Sequence, residues 1–124
     1  MRNLCLLLVL FMPLNLIAEE KQKTAICSLW YASEVKDKVE KKGSYDKFKH
    51  CAVSCLLTLR CPATDVMQIG IYKELADIVG PGNAEMKDLM SNFDGIDLVL
   101  RRKAKNDDEC IKQCHVLYPE KACP

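Results

Sequence analysis

The sequence predicts an all-α fold, a compact bundle of four to five short helices cross-linked by disulfides. Three observations predict it. Apolar residues recur at helical spacing between glycine and proline stops. Period-two alternation is rare, and Val, Ile and Thr are too scattered to argue for a sheet. Cysteines form two pairs four residues apart, Cys51 with Cys55 and Cys110 with Cys114, so each pair lies on one helix face.

The first element is a leader. Residues 1–18 read MRNLCLLLVLFMPLNLIA: a basic Arg2, an apolar run from Leu4 to Ile17, and Ala18 as a small residue at a cut point. This is the pattern of a secretory signal peptide. The run is short for a bilayer span and is interrupted by Pro13 and Asn15. Cys5 sits early in the run, so it does not mark a lipoprotein acylation site. We expect residues 1–18 to be removed and 19–124 to form a single disulfide-linked helical domain, periplasmic or secreted. No other stretch of the sequence is suited to crossing a membrane.

The helices follow in order. Ile26, Trp30, Val35 and Val39 mark a helix over 24–42 that stops at Gly43. Ser44 is the expected N-cap of a second helix, from Tyr45 to about Arg60. Pro62 suits the first turn of a third, Ala63 to Val79, and GPGN at 80–83 ends it. A fourth is expected from Ala84 to about Lys105. Asn106 or Asp107 caps a short fifth through about Leu117.

Of 18 basic residues, loss of Arg2 with the leader leaves 17, against 17 acidic residues, so the remaining chain has no net charge. That argues against nucleic acid, whose phosphates call for a basic surface. The basic clusters at Lys36–Lys42 and Arg101–Lys105 are mixed with or followed by acids and read as solvated helix faces. The expected partner is an unidentified envelope or extracellular one, and the oligomeric state stays open.

Of eight cysteines, loss of Cys5 leaves seven: Cys27, Cys51, Cys55, Cys61, Cys110, Cys114 and Cys123. Such a density in an exported chain implies disulfides. Two antiparallel helices make Cys51–Cys114 and Cys55–Cys110 the preferred pairing, although spacing alone does not fix connectivity. Cys27, Cys61 and Cys123 would then supply a third bridge and one unpaired thiol. The rival is a zinc site, because His50, Cys51, Cys55 and Cys110, Cys114, His115 mirror each other. Export and the four-residue spacing favour disulfides. A CxxC motif is absent, which argues against thiol–disulfide exchange.

Three polar stripes remain. Asp46, His50 and Ser54 share a face of the second helix, about a right angle from its cysteines. Gly70, Glu74 and Asp77 share a face of the third, and Asp88, Asn92 and Gly95 a face of the fourth. Glycine inside a helix costs about 1 kcal/mol, so a close backbone approach is expected at Gly70. If the stripes converge, His50 is a candidate general base oriented by Asp46 or Asp77. With Glu74, Asp77 or Asp88 it could instead hold a divalent metal, the one cofactor the sequence allows. Ser54 lacks the sharp elbow that exposes a catalytic serine. The structural alternative is an ion-pair network that locks helix packing. Lys49 and Lys73 would pair with surface acids. Asp88 near a helix start would favour the dipole. A secreted phospholipase A2 is set aside, since Cys51 rather than Asp follows His50 and no glycine-rich calcium loop is present.

The order DKxxH, GxxKExxD and PGNxxxxDxxxNxxG resembles the YfiM-like family of small bacterial envelope lipoproteins and, more distantly, VanZ-like proteins. It is carried by Asp46, Lys47, His50 and Ser54, then Gly70, Lys73, Glu74 and Asp77, then Gly82, Asp88, Asn92 and Gly95. The stretch covers 46–95. It departs from the first group in lacking a lipobox cysteine and from the second in lacking membrane helices. The resemblance implies an all-helical fold and a bacterial envelope location, and transfers no catalytic assignment. The leading expectation is a non-enzymatic binding or assembly module whose polar cluster is structural. The alternative is a small hydrolase or metal-dependent enzyme centred on His50.

Overall fold

A computed structural model describes residues 27–80 and 85–120. The leader, Gly82 and Cys123 lie outside the described residues. Five helices account for most of the rest: α1 over 27–40, α2 Asp46–Thr58, α3 Ala63–Val79, α4 Met86–Leu100 and α5 Asp107–Leu117. No strand occurs among the described residues, so the all-α expectation holds.

The ends of these helices show what local signals decided. Asn106 caps α5, its side chain accepting from the Glu109 amide at 2.9 Å, while Glu109 accepts from the Lys105 amide at 2.6 Å. The first bond satisfies a first-turn amide that has no partner within the helix, and the second ties down the residue before the cap. Ser44 does not cap α2. Tyr45 occupies that position without a side-chain cap, and the Ser44 amide instead donates to Glu120 at 3.0 Å. α4 stops at Leu100, earlier than expected. Arg102 turns left-handed (φ 58°), and the Leu98 carbonyl accepts from the Lys103 amide at 2.8 Å while Val99 accepts from Arg102 at 3.0 Å. This is a Schellman closure, and the usual glycine signal is replaced by arginine.

The core is built around α2, which buries Phe48, Cys51, Ala52, Cys55, Leu56 and Leu57. α4 lies against it closely because Gly95 has no side chain. A Cβ there would stand 2.1 Å from the Cys51 carbonyl oxygen. α1 contributes Val35 and Val39, both fully buried. Trp30, expected on the same stripe, is 79% exposed; it sits five residues from Val35, about 140° round the helix.

Three disulfides join the elements, with Cα separations of 5.8, 5.8 and 5.7 Å: Cys27–Cys61, Cys51–Cys114 and Cys55–Cys110. All lie within the ordinary bridging range of roughly 4.4–6.8 Å. The preferred ladder between α2 and an antiparallel α5 is therefore present, and the zinc–thiolate alternative is overturned because those sulfurs bond to each other. His115 is also accounted for. It stacks on Phe48 with ring centroids 4.0 Å apart and points Nε2 at the Lys42 carbonyl, 3.1 Å away. Beside the third bridge, fully buried Asp65 accepts from the Ser28 amide and hydroxyl at 2.9 and 2.8 Å, tying α3 to α1.

Candidate functional site

The Asp46–His50–Ser54 stripe of α2 faces away from the cysteine ladder and meets α4. Two helical spacings of four place Asp88 and Asn92 opposite His50 and Ser54. Asn92 is the hub. Its Oδ1 accepts the Ser54 hydroxyl at 3.0 Å and lies 3.2 Å from His50 Nδ1. An amide oxygen only accepts, so Nδ1 of a neutral His50 carries the proton and Nε2 holds the lone pair. Nε2 looks toward Asp88 Oδ2 at 3.5 Å and Asp46 Oδ1 at 3.8 Å.

Lys47 balances the acids. Its ammonium bonds Asp88 Oδ1, reaches Glu85 Oε2 at 2.5 Å and lies 3.5 Å from Asp46 Oδ2. Burial opposes its positive charge, but the hydrogen bonds and charges of Asp88 and Glu85 outweigh this and push its pKa above the ordinary lysine value. Asp88 and Asn92 are buried, whereas the Asp46 side chain is 65% exposed.

Two of the expected partners lie elsewhere. Buried Glu74 accepts from the Glu85 amide at 3.2 Å, supporting the start of α4, and lies 3.3 Å from Lys73. Asp77 accepts from Lys73 at 2.8 Å. Burial opposes the Lys73 charge, but Asp77 and Glu74 win and raise its pKa. The structure thus gathers Asp46, His50, Ser54, Asp88 and Asn92, while Glu74 and Asp77 form a separate group around Lys73. His50 is oriented by the Asn92 amide, not by a carboxylate of α3. The close approach at Gly70 is real, but it is made by a side chain: a Cβ there would meet Asn92 Nδ2 at 2.9 Å.

Sequence reasoning passed over Lys47 as a site residue, although it stands inside DKxxH. It also missed the space beside the cluster. A cleft of about 480 Å³ opens between α1, α2 and α3, with Val39, Val53, Leu57, Val66 and Ile69 on its walls. Asp46, His50, Ser54 and Asn92 form its polar end, and Lys36, Lys49 and Lys73 also line it. Volume and lining both fit a small-molecule site, for which about 300–1,000 Å³ and mostly apolar walls are usual. The walls come from three helices, so no single sequence stretch announces them.

Among the described residues, no helix is long and apolar enough to cross a membrane. No protein-family model, curated protein or solved structure matches the chain.

Proposed function

We propose that this chain is an exported bacterial envelope protein and a ligand-binding module, with the cleft beside His50 as its site. Three disulfides, which persist in oxidising compartments, and the leader pattern of residues 1–18 support export. The motif order DKxxH, GxxKExxD and DxxxNxxG, similar to that of YfiM-like proteins, supports the envelope. The observation that carries the binding role is the cleft itself, with apolar walls ending on a convergent polar cluster. In this reading the cluster has two parts. Ser54, Asn92, Asp88 and Lys47 hold α2 against α4, and His50 with Asp46 presents polar atoms to the ligand.

The test uses 8-anilinonaphthalene-1-sulfonate, an apolar anion suited to such walls and lysines. Saturable one-site fluorescence enhancement is expected. Val53→Trp, which fills the cleft from a half-buried wall position, should abolish it while helical circular dichroism stays unchanged. Enhancement that does not saturate, or that survives Val53→Trp, counts against the reading.

A second reading, a small hydrolase or metal-dependent enzyme centred on His50, is favoured by one observation. His50 lines the cleft, with Nδ1 on the Asn92 amide oxygen and Nε2 near two carboxylates that could orient it as a general base. Ser54 is an unsuitable nucleophile in it, since its hydroxyl proton is committed to Asn92.

A further inference from the structure

We infer that Asp46, His50 and Asp88 form a divalent-cation site of the zinc class, its remaining coordination positions open to the cleft. The inference rests on reading the cleft as the functional site and names what its polar end holds.

Three features of the geometry lead there. The first is the fixed tautomer. With Asn92 Oδ1 accepting from Nδ1–H, a neutral His50 keeps its lone pair on Nε2. A hydrogen bond to the far ring nitrogen is the usual way a protein orients a metal-binding histidine. The second is what that lone pair faces. Two carboxylate oxygens, Asp88 Oδ2 and Asp46 Oδ1, stand 3.5 and 3.8 Å from it, and one ligand atom from each of the three residues lies within 4.8 Å of the others. Lys47 balances part of this charge, bonding Asp88 through Oδ1 and lying 3.5 Å from Asp46 Oδ2, and so leaves Asp88 Oδ2 and Asp46 Oδ1 turned to the imidazole.

The third feature is spacing. Ligands about 2.0–2.2 Å from a zinc ion at the tetrahedral angle lie about 3.3–3.6 Å apart. Asp88 already fits that spacing. Asp46 is slightly outside it, on an exposed side chain free to close the gap. One imidazole with two carboxylates suits a zinc-class ion better than magnesium or calcium, which prefer an all-oxygen shell. Three protein ligands leave a fourth position for a ligand or water, beside the cleft that Asp46 and His50 line.

The experiment is zinc titration of the oxidised, chelator-stripped protein, followed by native mass spectrometry and calorimetry, with Co²⁺ absorption as a probe of coordination. We expect one ion per chain at micromolar zinc. Asp46→Asn, at an exposed position, should weaken binding at least about tenfold without unfolding the domain. His50→Ala should abolish it, with circular dichroism confirming that the fold survives. Val53→Trp, which blocks the cleft wall, should keep the ion, so loss of dye binding and loss of zinc binding report on different claims. The inference is overturned if no zinc is retained at micromolar concentration. It is also overturned if Asp46→Asn binds as tightly as the parent, or if Mg²⁺ binds and Zn²⁺ does not.

Discussion

Gly95→Ala probes the contact on which the site depends. The substitution adds one methyl group, and α4 would meet α2 with it. The new Cβ would stand 2.1 Å from the Cys51 carbonyl oxygen and 3.0 Å from both the Cys51 carbonyl carbon and the Cys55 nitrogen. Close carbon–oxygen contacts between packed helices run at about 3.3–3.6 Å, so α4 must retreat by about 1 Å. Overpacking of this kind costs typically about 1–3 kcal/mol, and the upper end applies because the obstacle is backbone. Alanine returns about 1 kcal/mol of helix propensity. The net expectation is a loss of about 2 kcal/mol, read as a shift of about 1 M or more in the urea midpoint. The same retreat would lengthen the 3.2 Å His50–Asn92 contact and the 3.5 Å His50–Asp88 approach. Gly70→Ala is the control, since its Cβ meets only the end of the Asn92 side chain; it should be close to neutral. A Gly95→Ala protein as stable as the parent would refute the close-packing argument, because propensity alone would then decide the outcome.

The two remaining predictions concern covalent and ionic ties. The α2–α5 ladder should be non-additive. Closing the 55-residue separation of Cys55–Cys110 restricts the unfolded chain by about 4 kcal/mol, and the second rung, closing only about ten further residues, adds about 3. Replacing either rung with alanines should therefore cost about 3 kcal/mol and replacing both about 7; urea unfolding that shows simple additivity contradicts the ladder. Arg60 grips Asp107 with two bonds of 2.9 and 2.8 Å and Lys38 adds a third at 2.5 Å, which holds the Asp107 carboxyl near about 2 against an ordinary 3.8. A depressed folded-state pKa gives stability that is complete above the unfolded value and is lost as pH falls from about 3.8 through about 2, here roughly 2 kcal/mol. Asp107→Asn should remove that acid limb from a urea–pH series, and an unchanged limb argues against the pair.

What the sequence made legible follows from how local each signal is. The bounds of α3, Ala63–Val79, were readable because Pro62 and Gly80 flank them. The ladder was the preferred pairing because a four-residue spacing on two helices allows two rungs if they run antiparallel, but only the structure fixes that direction and the connectivity. Ser44 misled because Tyr45 takes the cap position and the Ser44 hydroxyl turns to Glu120, distant in sequence. The end of α4 was invisible because its left-handed residue is Arg102 and not glycine. For the site, periodicity placed Glu74 and Asp77 on one face of α3, but it carries no information on which neighbour that face meets. Asp88 and Asn92 reached His50, while Glu74 turned to the start of α4. The cleft needed three helices in place before it existed.

The same division explains why a cleft survives in so small a domain. α2 spends one face on sulfur and another on Gly95, and both contacts are made at backbone distance. α3 is held differently. Of its seventeen residues only Asp65, Val66 and Glu74 are buried. It is tied near its start by Cys61 and Asp65 to α1, and further along by Glu74 to the Glu85 amide. A helix fixed by polar and covalent ties at its start and by a buried Glu74 further along does not need a packed apolar stripe along its length. The space between α1, α2 and α3 can therefore stay open with apolar walls without loosening the bundle. Hydrophobic burial alone would have closed it, since filling such a gap is favourable in a core that has no other support. The Cys27–Cys61 bridge and the bonds of Asp65 and Glu74 set the place of α3 instead, and the cleft beside His50 stays open between them.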